Sequence, residues 1–204
     1  MHSGSVTHPI RFDWAAHGCQ DYSLVIQPDS TIRDRIVEER QQLLDNYGLK
    51  VLPAGAFITV AQFAAREGME ETLVRWIQRI CSQQESFVVT FNNYGGQPPH
   101  TIYLRIMDHG PFRQLAWQLR AIDEFIRSSS CPPATLVSRP CLSLSGPLPE
   151  AIYEKALPDF SRRFFHESFT AAELLLQKRD PFTGHTRTIH IFRMLPAALH
   201  PPKN

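Results

Sequence analysis

The sequence has almost no net charge and few cysteines, and both shortages narrow the classes of protein to which it can belong. Its 204 residues include 21 Lys and Arg against 20 Asp and Glu, a formal net charge of +1. Proteins that bind DNA broadly usually have a strongly basic balance, so we expect no such binding. The 4 cysteines show no CxxC spacing, which argues against a structural zinc site and against a disulfide framework. We therefore expect a reduced, cytoplasmic protein.

Long apolar runs and familiar cofactor motifs are also missing. No stretch approaches the roughly 18 uninterrupted apolar residues of a membrane span. The N-terminal sequence MHSGSVTHPIRFDW lacks the basic start and apolar run of a secretory signal. The GxGxxG, GxxxxGK[ST] and HExxH patterns are absent from the chain. We predict no membrane partner, no metal and no cofactor, and the sequence does not determine the oligomeric state.

The composition, 43% hydrophobic and 20% charged, is that of a globular protein long enough to bury a core. We expect a loose N-terminal segment over residues 1–20, one bilobal domain over 21–196 and a C-terminal tail over 197–204. Helical spacing of apolar residues predicts a first helix with its N-cap at Ser30, closed by Gly48. Further helices are predicted at 69–82, 111–127 and 149–157, and strands at 22–27, 56–63, 87–91, 101–106, 141–145, 172–179 and 188–194. The turn-rich sequence NNYGGQPP is predicted to be a loop joining two of these strands.

Two of the predicted strands contain similar triplets, Phe57-Ile58-Thr59 and Cys141-Leu142-Ser143. Strand side chains alternate between faces, so each hydroxyl should lie opposite the aliphatic residues of its own strand. On the first strand the hydroxyl face is predicted to hold Phe57, Thr59, Ala61 and Phe63. On the second it is predicted to hold Cys141, Ser143 and Ser145.

With these triplets the sequence resembles the 2H phosphoesterase superfamily, the 2′-5′ RNA ligase-like proteins. The resemblance is carried by LPAGAFITVAQF, SFVVTFNNYGGQPPHTIYLRI, RPCLSLSGPLP and FTAAELLLQKRD, and with the helices between them it covers roughly residues 22–194. Motif strand, helix and further strands follow in the same order in each half. The resemblance implies an α+β fold with two pseudo-symmetric lobes, whose antiparallel-rich sheets surround a central cleft with helices outside.

In that family each strand carries a His-x-Thr/Ser triplet facing the cleft. One histidine is the general base and the other the general acid on a 2′,3′-cyclic phosphate or related ester, and the hydroxyls bind phosphate oxygens. The resemblance therefore implies phosphate binding by Thr59 and Ser143. The histidine positions hold Phe57 and Cys141, and phenylalanine cannot transfer a proton, while cysteine has an ordinary pKa of about 8.5 that suits different chemistry.

Two further ligand-binding residues are predicted on the strand at 101–106. Alternation separates Tyr103 and Arg105 from the aliphatic Ile102 and Leu104. If the aliphatic set packs in the core, the tyrosine ring can stack on a base and the guanidinium can pair with a phosphate. The alternative is a surface Tyr–Arg pair without a ligand.

The leading hypothesis is a degenerate 2H phosphoesterase that binds a nucleotide, an RNA end or another phosphoester. A second hypothesis retains hydrolysis of a cyclic phosphodiester by other groups, with His190 or a nucleophilic Cys141 as weak catalytic candidates. A third makes the fold a scaffold for protein partners. His100, at the start of its strand, is assigned a structural role.

Overall fold

The computed structural model describes residues 18–49, 53 and 55–197. Most of the predicted N-terminal segment (1–20) and nearly all of the predicted tail (197–204) lie outside these residues. The helices are α1 (Ser30–Tyr47), α2 (Glu70–Cys81), α3 (Gly110–Gln118), α4 (Arg120–Ser128) and α5 (Glu150–Ser161). The strands are β1 (Cys19–Ile26), β2 (Ile58–Arg66), β3 (Phe87–Gln97), β4 (Thr101–Ile106), β5 (Thr135–Leu136), β6 (Leu142–Ser143), β7 (His166–Ala171), β8 (Glu173–Arg179) and β9 (Thr186–Arg193).

The strands form two antiparallel sheets. The first has the order β5-β2-β1-β8-β9 and the second β6-β4-β3-β7. If the two-residue strand β5 is set aside, each sheet is a series of four strands that begins with a motif strand, β2 in one and β6 in the other. The prediction of a two-lobed, pseudo-symmetric α+β fold is confirmed.

Helix α1 has a defined start and end. Asp29, not Ser30, is the N-cap: its Oδ1 accepts a hydrogen bond of 3.0 Å from the N–H of Ile32. Both side chains are suited to this position, and the structure begins the helix one residue earlier than predicted. At the other end Gly48 adopts the left-handed conformation (φ 62°) and donates its N–H to Leu44 O at 2.9 Å, as predicted for this glycine.

One face of each sheet is packed against helices and forms the core. Burying a large aliphatic or aromatic side chain stabilises a fold by about 1.5–3 kcal/mol, so these faces fix the register of the strands. The buried side chains include Leu24, Ile26, Ile58, Leu176 and Phe192 in the first sheet and Val89, Phe91, Ile102, Leu104 and Leu142 in the second. From α1 the core receives Ile32, Ile36 and Leu43. The opposite face of each sheet is turned away from this core.

The hairpin of β3 and β4 differs from the prediction. Most of NNYGGQPP is strand, because β3 continues from Phe87 to Gln97 and pairs with β4 through Gly95 and Gly96. Paired glycines are typical of turns, which is why the sequence predicts a loop here. In the structure they accommodate neighbouring side chains: a Cβ on Gly96 would lie 2.8 Å from Leu157 Cδ1 of α5.

Two further elements differ from the prediction. The helix expected over 111–127 is divided at Leu119, whose carbonyl accepts the N–H of Ile122 at 3.0 Å in a tighter 3₁₀-type turn. Strand β7 was not predicted, because only Phe169 and Ala171 of HESFTA are buried and its other residues are polar. No helix in the described part of the chain is long and apolar enough to cross a membrane.

Candidate functional site

The second motif strand places Ser143 next to Tyr103. In the pairing of β6 with β4, Ser143 lies directly opposite Tyr103, and Leu142 lies opposite the buried Leu104. Directly opposed residues of an antiparallel pair point to the same face, so Ser143 and Tyr103 share the face turned away from the core. Arg105, two residues along β4, shares this face by alternation and is exposed. Its Nε donates to Asn92 O at 3.3 Å.

The ring of Tyr103 lies across the neighbouring strand β3. Tyr103 pairs with Gly95, and a Cβ built on Gly95 would be 2.6 Å from Tyr103 Cζ and 2.8 Å from its hydroxyl oxygen. Only glycine leaves this position open to the ring. Burial, with a smaller contribution from the nearby Cys141 thiol, raises the pKa of Tyr103, so the phenol is protonated at neutral pH.

In the first motif strand a β-bulge separates Thr59 from the rest of β2. Thr59 pairs with Val25 of β1 and Ala61 pairs with Leu24, so Val60 is an extra residue. Since Val25 and Leu24 are adjacent and point to opposite faces, Thr59 and Ala61 do so too. The prediction that Ala61 and Phe63 share the face of Thr59 is wrong: both are buried with the core, and Phe63 stacks on Tyr22 at a centroid distance of 5.5 Å.

Phe57, at the triplet position where the 2H phosphoesterases have their first histidine, lies over the chain just before it. Gly55 has a φ of +67°, and a Cβ there would be 2.8 Å from Phe57 Cδ2. The ring is half-buried and carries no group that can donate or accept a proton. It covers the Gly55 backbone, so this part of the first motif is apolar.

One buried side chain connects the two motif segments. Arg40 of α1 is only 6% exposed. Its Nη1 donates to Gly55 O at 2.8 Å and to Pro53 O at 3.1 Å, and its Nη2 donates to Ser143 O at 2.8 Å. A single guanidinium therefore holds both the segment that leads into β2 and the strand β6, which belongs to the other sheet.

The two motif hydroxyls are available for a ligand. Both Thr59 and Ser143 are half-buried, and neither side chain makes a hydrogen bond to another residue among those described. Ser145, predicted on the same face as Ser143, differs: it is 1% exposed and its Oγ accepts the N–H of Ile102 at 3.0 Å. This hydrogen bond lies just beyond the paired residues of β4 and β6.

Cys141, at the second histidine position, is a free and half-buried thiol. Burial raises its pKa to about 11, so the nucleophilic thiolate is scarce at neutral pH. Its side chain is half-buried at the start of the second motif. A base that could deprotonate the thiol would have to lie within hydrogen-bond distance, and among the described residues no hydrogen bond to Cys141 Sγ is present.

The structure does not bring His190 to Thr59. His190 pairs with Leu176 and Leu176 with Leu24, which places His190 on the core-facing side of the first sheet. Its ring lies 4.5 Å from that of Phe192. His100, assigned a structural role, lies with its ring 5.0 Å from that of Tyr153.

Metal-ligating residues do not gather at this site: in the ranges described above, no group of three His, Cys, Asp or Glu side chains is arranged to hold an ion. Arg40 and Gly95 were not identified from the sequence. A signal for Arg40 was present, because its position continues the apolar stripe of Ile32, Ile36 and Leu43. An arginine in such a stripe must find buried partners.

The fold of this chain is similar to those of several solved structures. The structure of E. coli LigT complexed with 3′-AMP has 20% sequence identity and a TM-score of 0.65, with 86% of this chain and 98% of that chain covered. TT0787 of Thermus thermophilus has 15% identity and a TM-score of 0.63, covering 87% and 99%. A structure described as a phosphoesterase has 18% identity and a TM-score of 0.61, also covering 87% and 99%. No protein-family model and no curated protein matches the sequence. The chain therefore has the fold of LigT, of TT0787 and of the structure described as a phosphoesterase, as the resemblance carried by its two triplets predicted.

Proposed function

We propose that this chain is a divergent 2H phosphoesterase-like protein that binds a phosphoester through Thr59 and Ser143 and does not carry out the hydrolysis typical of the family. The observation that supports this most directly is the placement of the two hydroxyls. Each lies on the face of its sheet turned away from the core, without a hydrogen-bond partner among the described residues. A hydroxyl can donate to an oxyanion without changing its own charge.

A nucleotide, or the end of an RNA chain, is the class of ligand that fits the neighbouring side chains. Tyr103 offers a ring on the Ser143 face, and aromatic rings stack on bases. Arg105 offers a guanidinium on the same face for a phosphate. Structures of E. coli LigT are complexed with 3′-AMP, phosphate, ATP and NADP⁺, which agrees with this choice of ligand.

The proposal excludes family-type catalysis on chemical grounds. Positioned acids and bases contribute about 10²–10⁴-fold each to a rate. Phe57 cannot act as either, and the Cys141 thiol, with a pKa of about 11, is a poor base at neutral pH. The four cysteines are free, which fits the reducing cytoplasm that we propose as its location.

Calorimetric titration with 3′-AMP tests the proposal. We expect binding by the unmodified protein, weakened by about tenfold or more in each of the variants Thr59→Val and Ser143→Ala, since a hydrogen bond to a charged group contributes about 1.5–3 kcal/mol. Thr170→Val is the matched control. Thr170 is an exposed hydroxyl on β7, which lies three strands from β6, and its loss should leave the affinity unchanged.

The other two hypotheses give different outcomes. Turnover of 2′,3′-cyclic AMP by the unmodified protein, abolished in Cys141→Ser or in a His190→Ala variant, would replace the proposal with an active enzyme. If neither 3′-AMP nor inorganic phosphate binds, a scaffold for protein partners becomes the better explanation of the fold.

A further inference from the structure

Arg40 is a buried charge whose described partners are all backbone carbonyls. Its guanidinium donates to Pro53 O, Gly55 O and Ser143 O, and its Nε is buried without a partner among the described residues. In that same part of the chain no carboxylate forms an ion pair with it. Arginine is protonated in proteins at neutral pH, so the charge is present and only carbonyl dipoles offset it.

The nearest acidic residue along the helix is already used. Glu39 is 8% exposed and accepts a hydrogen bond of 2.7 Å from Arg163 Nη2. The Arg163 guanidinium in turn lies 4.7 Å above the ring of Phe160. The charge of Glu39 is thus balanced by a different arginine, and the charge of Arg40 is not balanced by Glu39.

An unbalanced buried charge is unfavourable unless something near it is of opposite sign. The carbonyl of Ser143 accepts from Arg40, and the hydroxyl of the same residue is one of the two proposed phosphate ligands. A phosphate at Ser143 Oγ would therefore lie close to the guanidinium in a region of low dielectric constant, where Coulomb attraction is strong. A second positive charge, Arg105, is on the Ser143 face of β4.

We propose that Arg40 is the positioning residue of the phosphate site, and that its charge makes the site selective for dianionic phosphate monoesters over monoanionic diesters and neutral ligands. The inference rests on the proposed function. Arg40 does not touch the ligand. It holds the backbones of Gly55 and Ser143, and so the two motif hydroxyls, in one arrangement, and it supplies the positive charge behind them.

The test compares the affinities of three ligands of the same size class: 3′-AMP, 2′,3′-cyclic AMP and adenosine. The unmodified protein should bind the dianionic 3′-AMP at least about tenfold more tightly than the monoanionic cyclic ester, and more tightly still than adenosine. Arg40→Met should reduce this preference about tenfold. Arg40→Lys keeps the charge but loses the fork of donors, so it should keep most of the preference while all three affinities fall together.

A purely structural role for Arg40 would weaken all three ligands equally in both variants, and that result would overturn the inference. Arg79→Met, on the exposed side of α2, removes the same charge elsewhere and should leave the preference intact. Thermal melts by circular dichroism identify a variant that fails to fold; if Arg40→Met does, Arg40→Gln, which also removes the charge but retains hydrogen-bond donors, takes its place and should show the same loss of preference. If the unmodified protein binds none of the ligands, the proposed function itself fails. If it binds the cyclic ester as tightly as 3′-AMP, the proposed selectivity of Arg40 fails and the proposed function stands.

Discussion

Tyr103 stands directly opposite Ser143 in the pairing of β4 with β6, and its ring extends over Gly95 of the next strand. The Ser143 hydroxyl on β6, the Tyr103 ring on β4 and the Gly95 backbone on β3 thus lie in a row across three neighbouring strands. In the proposed function, a phosphate lies at the Ser143 end of this row and a base stacks on the ring beside it.

Replacing Gly95 with alanine should displace the Tyr103 ring. The new Cβ would be 2.6 Å from Tyr103 Cζ, and the ring, being the half-buried end of a side chain, can swing away. We expect the affinity for 3′-AMP to fall several-fold, since stacking on an aromatic ring contributes about 1–3 kcal/mol per base. The free energy of unfolding should change by less than about 1 kcal/mol.

The adjacent Gly96→Ala variant is the matched control. Its Cβ would meet Tyr153 and Leu157 of α5 on the other face of the sheet, and overpacking of this kind costs about 1–3 kcal/mol. Urea denaturation should therefore detect Gly96→Ala and ligand titration should detect Gly95→Ala. Equal effects of both variants on both measurements would contradict the assignment of faces.

The alkylation of Cys141 should depend steeply on pH. Burial raises its pKa to about 11, above the ordinary value, so the thiolate fraction at pH 8 is on the order of 10⁻³. The rate of carboxamidomethylation, followed by mass spectrometry of the peptide, should rise about tenfold per pH unit from pH 8 to 10 and level off near pH 11. A plateau already reached below pH 8 would indicate an activated thiol and would support a nucleophilic Cys141.

Restoring both histidines should introduce the missing reaction. In the double variant Phe57→His with Cys141→His, an acid and a base with pKa values near neutrality return to the two motif strands. We expect measurable hydrolysis of 2′,3′-cyclic AMP, at least about 10²-fold above the unmodified protein. Each single variant should give much less. If the double variant folds, binds 3′-AMP and yet stays inactive, the two strands do not hold their side chains in a catalytic arrangement.

The N-cap of α1 can be tested with two neighbouring substitutions. Asp29→Ala removes the acceptor of the Ile32 N–H and should lower the free energy of unfolding by about 1 kcal/mol. Ser30→Ala should change it by only a few tenths of a kcal/mol, because Ser30 is already inside the helix. Both free energies are measured by chemical denaturation. If Ser30→Ala destabilised the protein more than Asp29→Ala, Ser30 would be the N-cap, as the sequence predicted.

Periodicity predicted most of the fold correctly because it reports burial. Ile32, Ile36 and Leu43 of α1 are buried as their spacing predicts, and so are Ile102 and Leu104 of β4. Val37, which the same spacing placed on the apolar stripe of α1, is exposed instead. The position of a glycine predicts secondary structure less reliably than apolar periodicity does. Gly48 closes a helix as expected, whereas Gly95 lies inside a strand, since the reason for that glycine is a ring from a strand that follows it in the sequence.

The sequence predicted which residues belong to the candidate site, but not the hydrogen bonds that join them to distant parts of the chain. The triplets identified Thr59 and Ser143, and alternation alone paired Tyr103 with Arg105. Arg40 could not be connected with Ser143, because a hydrogen bond between residues more than a hundred positions apart leaves no local pattern. The apolar stripe of α1 showed only that this arginine would be buried.

The bulge at Val60 determines which face of the first sheet Thr59 occupies. From Ala61 onward β2 is anchored to the core by the Tyr22–Phe63 stack, and before the bulge the strand presents its hydroxyl on the other side. If the bulge became regular pairing, Val60 would lie opposite Val25, and Thr59 would move opposite Ile26, to the core-facing position that Ile58 now fills. A substitution that favours regular pairing at Val60 would therefore remove the hydroxyl from its proposed site without altering any residue that binds the ligand.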